Sequence, residues 1–242
     1  MSAPCRSAAA YAAPVAAFLA APDDIVLAPL SAPQGFSLTP EQLSAWRLQL
    51  PVLRGALVGL ALDGSAPAPW MHLEFDIPRL GRRVDAVLVT PACVIPIEFK
   101  VGAKKFERLD YEQAWDYGLD LKNFHAPSHA APIFPILCAT EAGDSDRRWK
   151  PPRADGVRPP FRCNAESFGR AIRLALESAD SSAIDPATIN PAEWGTGSYS
   201  PTPTIIEAAR SLYARHTVHD ITRSDAGAVN LAATSGCIGP AW

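Results

Sequence analysis

The chain has 242 residues, 48% hydrophobic and 19% charged, with a formal net charge of -3. That is ordinary for one packed domain with a small appendage and gives no global attraction to nucleic acid, so any such binding must come from a local patch. The five cysteines (Cys5, Cys93, Cys138, Cys163, Cys237) are odd in number and contain no C-x-x-C pair, which argues against a disulfide scaffold or a zinc finger and fits a reducing, cytoplasmic setting.

Residues 1–36 predict a short helix and a proline-rich connector. The alanine-rich stretch from Ala8 to Ala21 faintly resembles a signal peptide, but Pro14 interrupts it, and it reads better as an amphipathic N-terminal segment. No run approaches the length of a membrane span, so no membrane partner is expected. Thr39-Pro40-Glu41-Gln42 is a helix start, with Thr39 as N-cap, Pro40 in the first turn and Gln42 reaching back. Pro51 is expected to kink or end that helix, and Leu53 to Leu62 to continue it.

Three strands follow: Met71 to Ile77, Arg83 to Thr90 and Val94 to Lys100. The last two are apolar on both faces apart from Asp85, Glu98 and their ends, which implies a central sheet covered on both sides. Phe106 to Phe124 predicts a long helix on that sheet, and Pro132 to Thr140 a fourth strand. The expected order is α-β-β-β-α-β, an α/β fold with a mixed sheet flanked by helices. Glu141 to Arg162 is a basic, irregular loop; Asn164 is expected to cap a helix through Ser178, and Thr202-Pro203 to start a last one through His216. The chain therefore divides into an N-terminal segment (1–36), a core (37–180) and a C-terminal extension (181–242).

A charged residue inside an apolar strand is costly unless it is paired or binds a metal. Asp85 admits an ion pair with Arg82 or Arg83, but its place in an apolar strand favours the metal. Glu98 and Lys100 are two positions apart and point to one side of the sheet. They suit either a strand-end ion pair or a site in which Lys100 positions, or helps deprotonate, an attacking water. Gln113 and Tyr117 share one helical face, as a surface hydrogen-bonded pair or as support for a metal shell or phosphate. Glu74 reads equally well as a half-exposed residue and as a further metal carboxylate.

Arg79, Arg82 and Arg83 at the hairpin, and Lys104, Lys105 and Arg108 near the start of the long helix, are solvated cations or phosphate contacts. His125 and His129 read as loop residues near the site, with phosphate contact as the functional alternative. His216, His219 and Asp220 form a weak cluster, and Trp46 and Trp115 read as core. Two carboxylates and a lysine are what phosphodiester hydrolysis by a hard divalent ion requires, because magnesium takes one or two carboxylates plus water and phosphate oxygens.

The segment HLEFDIPRLGRRVDAVLVTPACVIPIEFK resembles the core of the PD-(D/E)XK nuclease superfamily, and YEQAWDYGLDLKNFH resembles the Q-x-x-x-Y helix of its RecB-like branch. The resemblance makes Asp85 the motif aspartate, with Val84 in place of the usual proline, Glu98-Phe99-Lys100 the E-x-K triplet, and Gln113 with Tyr117 the helix motif. Phe75 to Glu141, together with YSPTPTIIEAARSLYARH, is similar to the N-terminal region of bacterial proteins that carry a Schlafen-type (group 3) helicase domain. The resemblance implies a Mg²⁺- or Mn²⁺-dependent deoxyribonuclease in DNA processing or defence, with a helicase or ATPase partner in cis or in trans. No G-x-x-x-x-G-K-[ST] is present, so these residues lack the motor half, as a fragment, a truncated gene product or one part of a split protein would. RNA as the substrate, and a non-catalytic nucleic-acid-binding or partner-docking module, are the alternatives.

Overall fold

The computed structural model describes residues 8–31, 40–58, 60, 67–77, 80–143, 145–153, 157–180, 189–203 and 205–206. Its contacts define one unit over Met1–Ser200 and a second over Pro201–Trp242. Within the first unit a six-stranded mixed sheet runs in the order β1 (Ala9–Pro14), β2 (Trp70–Ile77), β3 (Arg82–Val89), β4 (Val94–Lys100), β5 (Ile136–Ala139) and β6 (Phe161–Cys163). The first four strands pair antiparallel, whereas β4, β5 and β6 are parallel.

Both faces of the sheet are covered, as the apolar strands require. On one face lie α1 (Val15–Ala20), α2 (Asp23–Leu30), α3 (Pro40–Val58) and α5 (Phe168–Asp180), whose Phe18, Val26, Leu53, Leu57 and Ile172 pack with Leu73, Leu88, Ile97 and Phe99. On the other lie α4 (Arg108–Phe124) and the short α6 (Pro191–Trp194), which bury Tyr117, Leu121 and Trp194 with Phe75, Val87 and Val94. α4 is the crossover between the parallel strands β4 and β5, the connection such a pair needs. Gly118 lets it approach closely: a Cβ there would lie 2.7 Å from Pro135 Cγ.

Several expectations are corrected. The short helix expected within residues 1–36 is present as α1 and α2, but residues 9–14 ahead of them form an antiparallel edge strand on β2. Val15 and Phe18 are core residues, so this segment is built into the fold. At Pro51, expected to kink or end the helix, α3 does not end, and the expected continuation from Leu53 holds as far as Val58; the burial of Leu50, Leu53 and Leu57 outweighs the lost backbone hydrogen bond. β6 was not expected either, and β1 and β6 together extend the four strands of the predicted α-β-β-β-α-β order to six. The irregular 141–162 loop ends in it. Asn164, expected to cap the helix that follows, instead closes the turn before it, its Oδ1 accepting from the Ser167 N–H at 2.9 Å, and α5 begins at Phe168. Ile189 and Trp194 belong to the core. Thr39, Arg79, most of the 202–216 helix, His216, His219 and Asp220 fall outside the described residues. Among the described residues no helix is long and apolar enough to cross a membrane.

Candidate active site

The sheet brings three carboxylate-bearing residues onto neighbouring strands. Leu73 pairs with Ala86 and Phe75 with Val84, which sets Glu74 opposite Asp85. The β3–β4 ladder ends at Ala86–Ile97, one step before Asp85 would meet Glu98. There the strands part, and a side chain replaces the missing backbone partner: the Phe99 N–H donates to Asp85 Oδ2 at 2.8 Å.

The sheet is also irregular at this row. Leu73 and Phe75 are two positions apart and would normally share a face, yet they pack in different clusters, as do Ala86 and Val84 opposite them. Glu74 carries the turn in β2, with a left-handed φ of 50°, which for a non-glycine residue costs energy that its surroundings must offset. Two contacts hold it: Trp46 Nε1 donates to Oε1 at 2.7 Å and Arg83 Nη1 to Oε2 at 3.3 Å. Glu74 is thus buried with both oxygens engaged, and the half-exposed alternative is set aside.

Glu98 is 4% exposed. Its Oε1 lies 2.9 Å from Lys100 Nζ, while Oε2 is buried with no hydrogen-bond partner. Lys100 Nζ also lies 3.2 Å from Asp110 Oδ1 and donates to Gln113 Oε1 at 3.0 Å; Gln113 Nε2 donates in turn to Tyr117 Oη at 2.7 Å. Glu98, Lys100, Gln113 and Tyr117 therefore form one network where β4 parts from β3, with Asp85 beside it on the Phe99 N–H.

The electrostatics are those of crowded acids. Burial raises the Asp85 carboxyl well above its ordinary range, and repulsion from Glu98 and Glu74 adds to that against the Phe99 N–H. Burial also raises Glu98, and Lys100 offsets part of the shift; Glu74 is raised by burial against the pull of Trp46 and Arg83. Burial opposes the Lys100 charge, but Glu98 and Asp110 outweigh it and raise its pKa. Burial pushes the Tyr117 phenol up to about 12, so it keeps its proton.

The remaining expected contacts lie elsewhere. Arg82 is bound to Asp116 and Asp120, both at 3.1 Å, and Arg83 to Asp76 and Glu74, so neither is a free cation. Lys105 pairs with Glu107 at 3.0 Å and Arg108 with Glu112 at 2.8 Å; Lys104 is exposed. His125 is fully buried against Phe75 and Trp194, its Nδ1 2.8 Å from Ser128 Oγ, in the core and not on a phosphate-facing loop.

Two participants were missed from the sequence. Trp46 was read only as core, and its bond to Glu74 joins a helix to a strand that no local pattern links. Asp110 was detectable: it shares a helical face with Gln113 and Tyr117 at i, i+3 and i+7.

Among the described residues, no group of three or more His, Cys, Asp or Glu side chains is arranged to hold a metal ion. A magnesium ion held by one or two carboxylates needs no such group, and the unpartnered Glu98 Oε2 beside the repelled Asp85 carboxyl fits a cation. Comparison with family models, curated proteins and solved structures finds no match to the chain.

Proposed function

We propose that the chain is a divalent-metal-dependent nuclease of the PD-(D/E)XK type that hydrolyses DNA phosphodiester bonds. One observation carries this reading. Where β3 and β4 part, a buried carboxylate oxygen without a hydrogen-bond partner, Glu98 Oε2, lies next to a lysine whose charge is held in place by Glu98 and Asp110. Burying such an oxygen without a donor is costly, and a cation offsets that cost. Asp85 and Glu98 would hold Mg²⁺ or Mn²⁺, which when bound neutralises phosphate charge and lowers the pKa of a bound water.

The chain's own residues have separable roles in this reading. Lys100 keeps its proton at Nζ and donates to a non-bridging phosphate oxygen or orients the attacking water. Gln113 accepts from Lys100 and ties it to Tyr117, which stops the ammonium from swinging into solvent. Glu74, fixed by Trp46 and Arg83, adds negative field behind Asp85. The resemblance described above adds a helicase or ATPase partner to the reading.

The test is cleavage of labelled linear and circular DNA, single- and double-stranded, with Mg²⁺, Mn²⁺ or EDTA. Lys100→Ala should lower the rate by about 10²–10³-fold, the usual loss when one preorganised donor to a developing charge is removed. Full metal-dependent cutting by both Lys100→Ala and Asp85→Ala would refute the assignment.

A second reading, a non-catalytic nucleic-acid-binding or partner-docking module, is favoured by the saturation of Lys100 by Glu98, Asp110 and Gln113. The binding module predicts salt-sensitive binding with no cleavage under any divalent ion, and the docking module no nucleic-acid binding even at low salt, with an ATPase co-purifying instead.

A further inference from the structure

An open, polar groove of about 620 Å³ is lined by Gly143, Ser145, Arg147, Asn164, Ser167 and Arg170, together with Glu166. Glu166 and Arg170 also line a second hollow of about 430 Å³ that reaches Arg173 and the α3 residues Pro51 and Val52, so the two form one track along α5. Arg170 and Arg173 stand one helical turn apart on the exposed side of α5, opposite its buried Phe168, Ala171, Ile172 and Ala175.

Arg54, Arg82, Arg83, Arg108 and Arg162 each have a carboxylate partner. Among the described residues Arg147, Arg170 and Arg173 have none, and Arg170 makes only a hydrogen bond to the Asp146 carbonyl at 3.3 Å. Arg47, Arg148, Arg153 and Arg158 also lack one, of which Arg153 and Arg158 lie over the Trp115 and Phe134 rings. What sets Arg147, Arg170 and Arg173 apart is that they line one track. Glu166 sits in the same groove without pairing to any of these three, so three arginines against one glutamate leave it positive.

The groove is tied to the end of β4. The Thr140 N–H donates to the Lys100 carbonyl at 3.2 Å and the Ala165 N–H to the Thr140 carbonyl at 3.3 Å, while Asn164 Nδ2 donates to the Ala142 carbonyl at 2.8 Å. Lys100 and the groove therefore lie at the same, carboxyl end of the parallel strands, where ligands of open α/β sheets bind. The Lys100 ammonium is on the α4 side of the sheet and the track on the α3–α5 side, so a bound strand must cross the strand ends to meet both. With strands about 4.8 Å apart, β6 ends on the order of 10 Å from β4.

We propose that the groove of Arg147, Arg170 and Arg173 binds the phosphodiester backbone of a polynucleotide strand beside the bond presented to Lys100. This rests on the nuclease reading for its orientation, but the binding itself does not. Unpaired guanidinium groups in a polar track suit phosphate oxygens, which accept two parallel N–H bonds from each.

The experiment measures anisotropy of labelled single-stranded DNA, duplex DNA and single-stranded RNA on the full chain, in EDTA, as a function of salt. The variants are Arg147→Gln/Arg170→Gln/Arg173→Gln and the corresponding triple lysine substitution. Three lost phosphate contacts should flatten the slope of log affinity against log salt by about 2 on single strands and about 3 on duplex. The triple lysine variant should keep most of the slope, and both should melt as the wild type does because these side chains are exposed. The DNA and RNA arms identify which backbone is held.

An unchanged slope and affinity in the glutamine variant overturns the groove, as does a wild type that binds no strand in any arm. The two readings fail separately. Cleavage by the wild type with no groove effect leaves the nuclease standing alone, and a groove effect with no cleavage leaves a binding site without that chemistry.

Discussion

Asp85→Asn is the most informative single change, because it removes a charge while leaving its hydrogen bond. The asparagine carbonyl still accepts from the Phe99 N–H, and the new amide adds a donor beside the acids. The strands part here, so the two side chains stand at or beyond the separation of a paired position; at about 5–8 Å and an effective dielectric of about 20 the Asp85–Glu98 repulsion is roughly 2–3 kcal/mol. Subtracting about 1 kcal/mol for the weaker neutral hydrogen bond leaves a net gain of about 1–2 kcal/mol, or about 2–8 °C in Tm for a chain of this size.

The gain must depend on pH in a definite direction. The Asp85 pKa is raised on folding, so its contribution to stability is fully present below its unfolded pKa of about 3.9 and is lost as pH rises through the folded value. The variant should therefore match the wild type near pH 4 and exceed it progressively above. Thermal melts in EDTA across that range, repeated with Mg²⁺ and Mn²⁺, test both halves of the argument. Metal should raise the wild-type Tm and leave the variant almost unmoved. An asparagine variant less stable than the wild type at pH 8, or one that keeps the full metal shift, would refute the reasoning.

Trp46→Phe keeps the ring but deprives the buried Glu74 of its 2.7 Å donor; it should cost about 1–3 kcal/mol in urea unfolding, more at pH 8 than at pH 5, and an unchanged midpoint would count against it. Burial lowers His72 to about 4 and His125 to about 3. Neutral burial of these histidines favours the fold above about pH 6.5 and is lost as pH falls through that window, by up to about 1.4 kcal/mol per unit for each. His72→Leu should flatten that acid limb relative to the wild type, with the opposing contributions of Glu74, Asp85 and Glu98 common to both proteins; parallel limbs would contradict it. Gly118→Ala drives a Cβ to 2.7 Å from Pro135 and 3.0 Å from Val157, so overpacking of about 1–3 kcal/mol should outweigh a helix-propensity gain of about 1 kcal/mol; a raised urea midpoint would argue the reverse.

The strands β3 and β4 were legible because their aliphatic runs, broken inside only by Asp85 and Glu98, leave few alternatives, and β2 because its apolar residues alternate with His72, Glu74 and Asp76. The long helix α4 was legible for a similar reason, since its apolar spacing is helical and no proline interrupts it. β1 was not, because Ala9–Pro14 holds no β-branched residue, and its conformation comes from the edge of β2 that it pairs with. β6 is only Phe161–Cys163, too short for any periodicity. Within the site, the Gln113–Tyr117 pair follows from helical spacing, whereas its junction with Lys100 was expected only from the resemblance, because no local pattern joins that strand end to the helix. The rotation at Glu74 does not follow from spacing, because a left-handed glutamate is stabilised only by a tryptophan and an arginine that tertiary structure brings to it.

The pairing of β1 with β2 also orders the events of folding. Ala9 meets Phe75, so α1, α2 and α3 lie between the partners along the chain, and loop closure must precede any reward from the pairing. The β2–β3–β4 meander closes through short turns and is expected to nucleate first, with β1 docking late. On a ribosome the first strand to emerge would wait for the second to be made, and in the finished protein its amides would be among the first of the sheet to exchange with solvent.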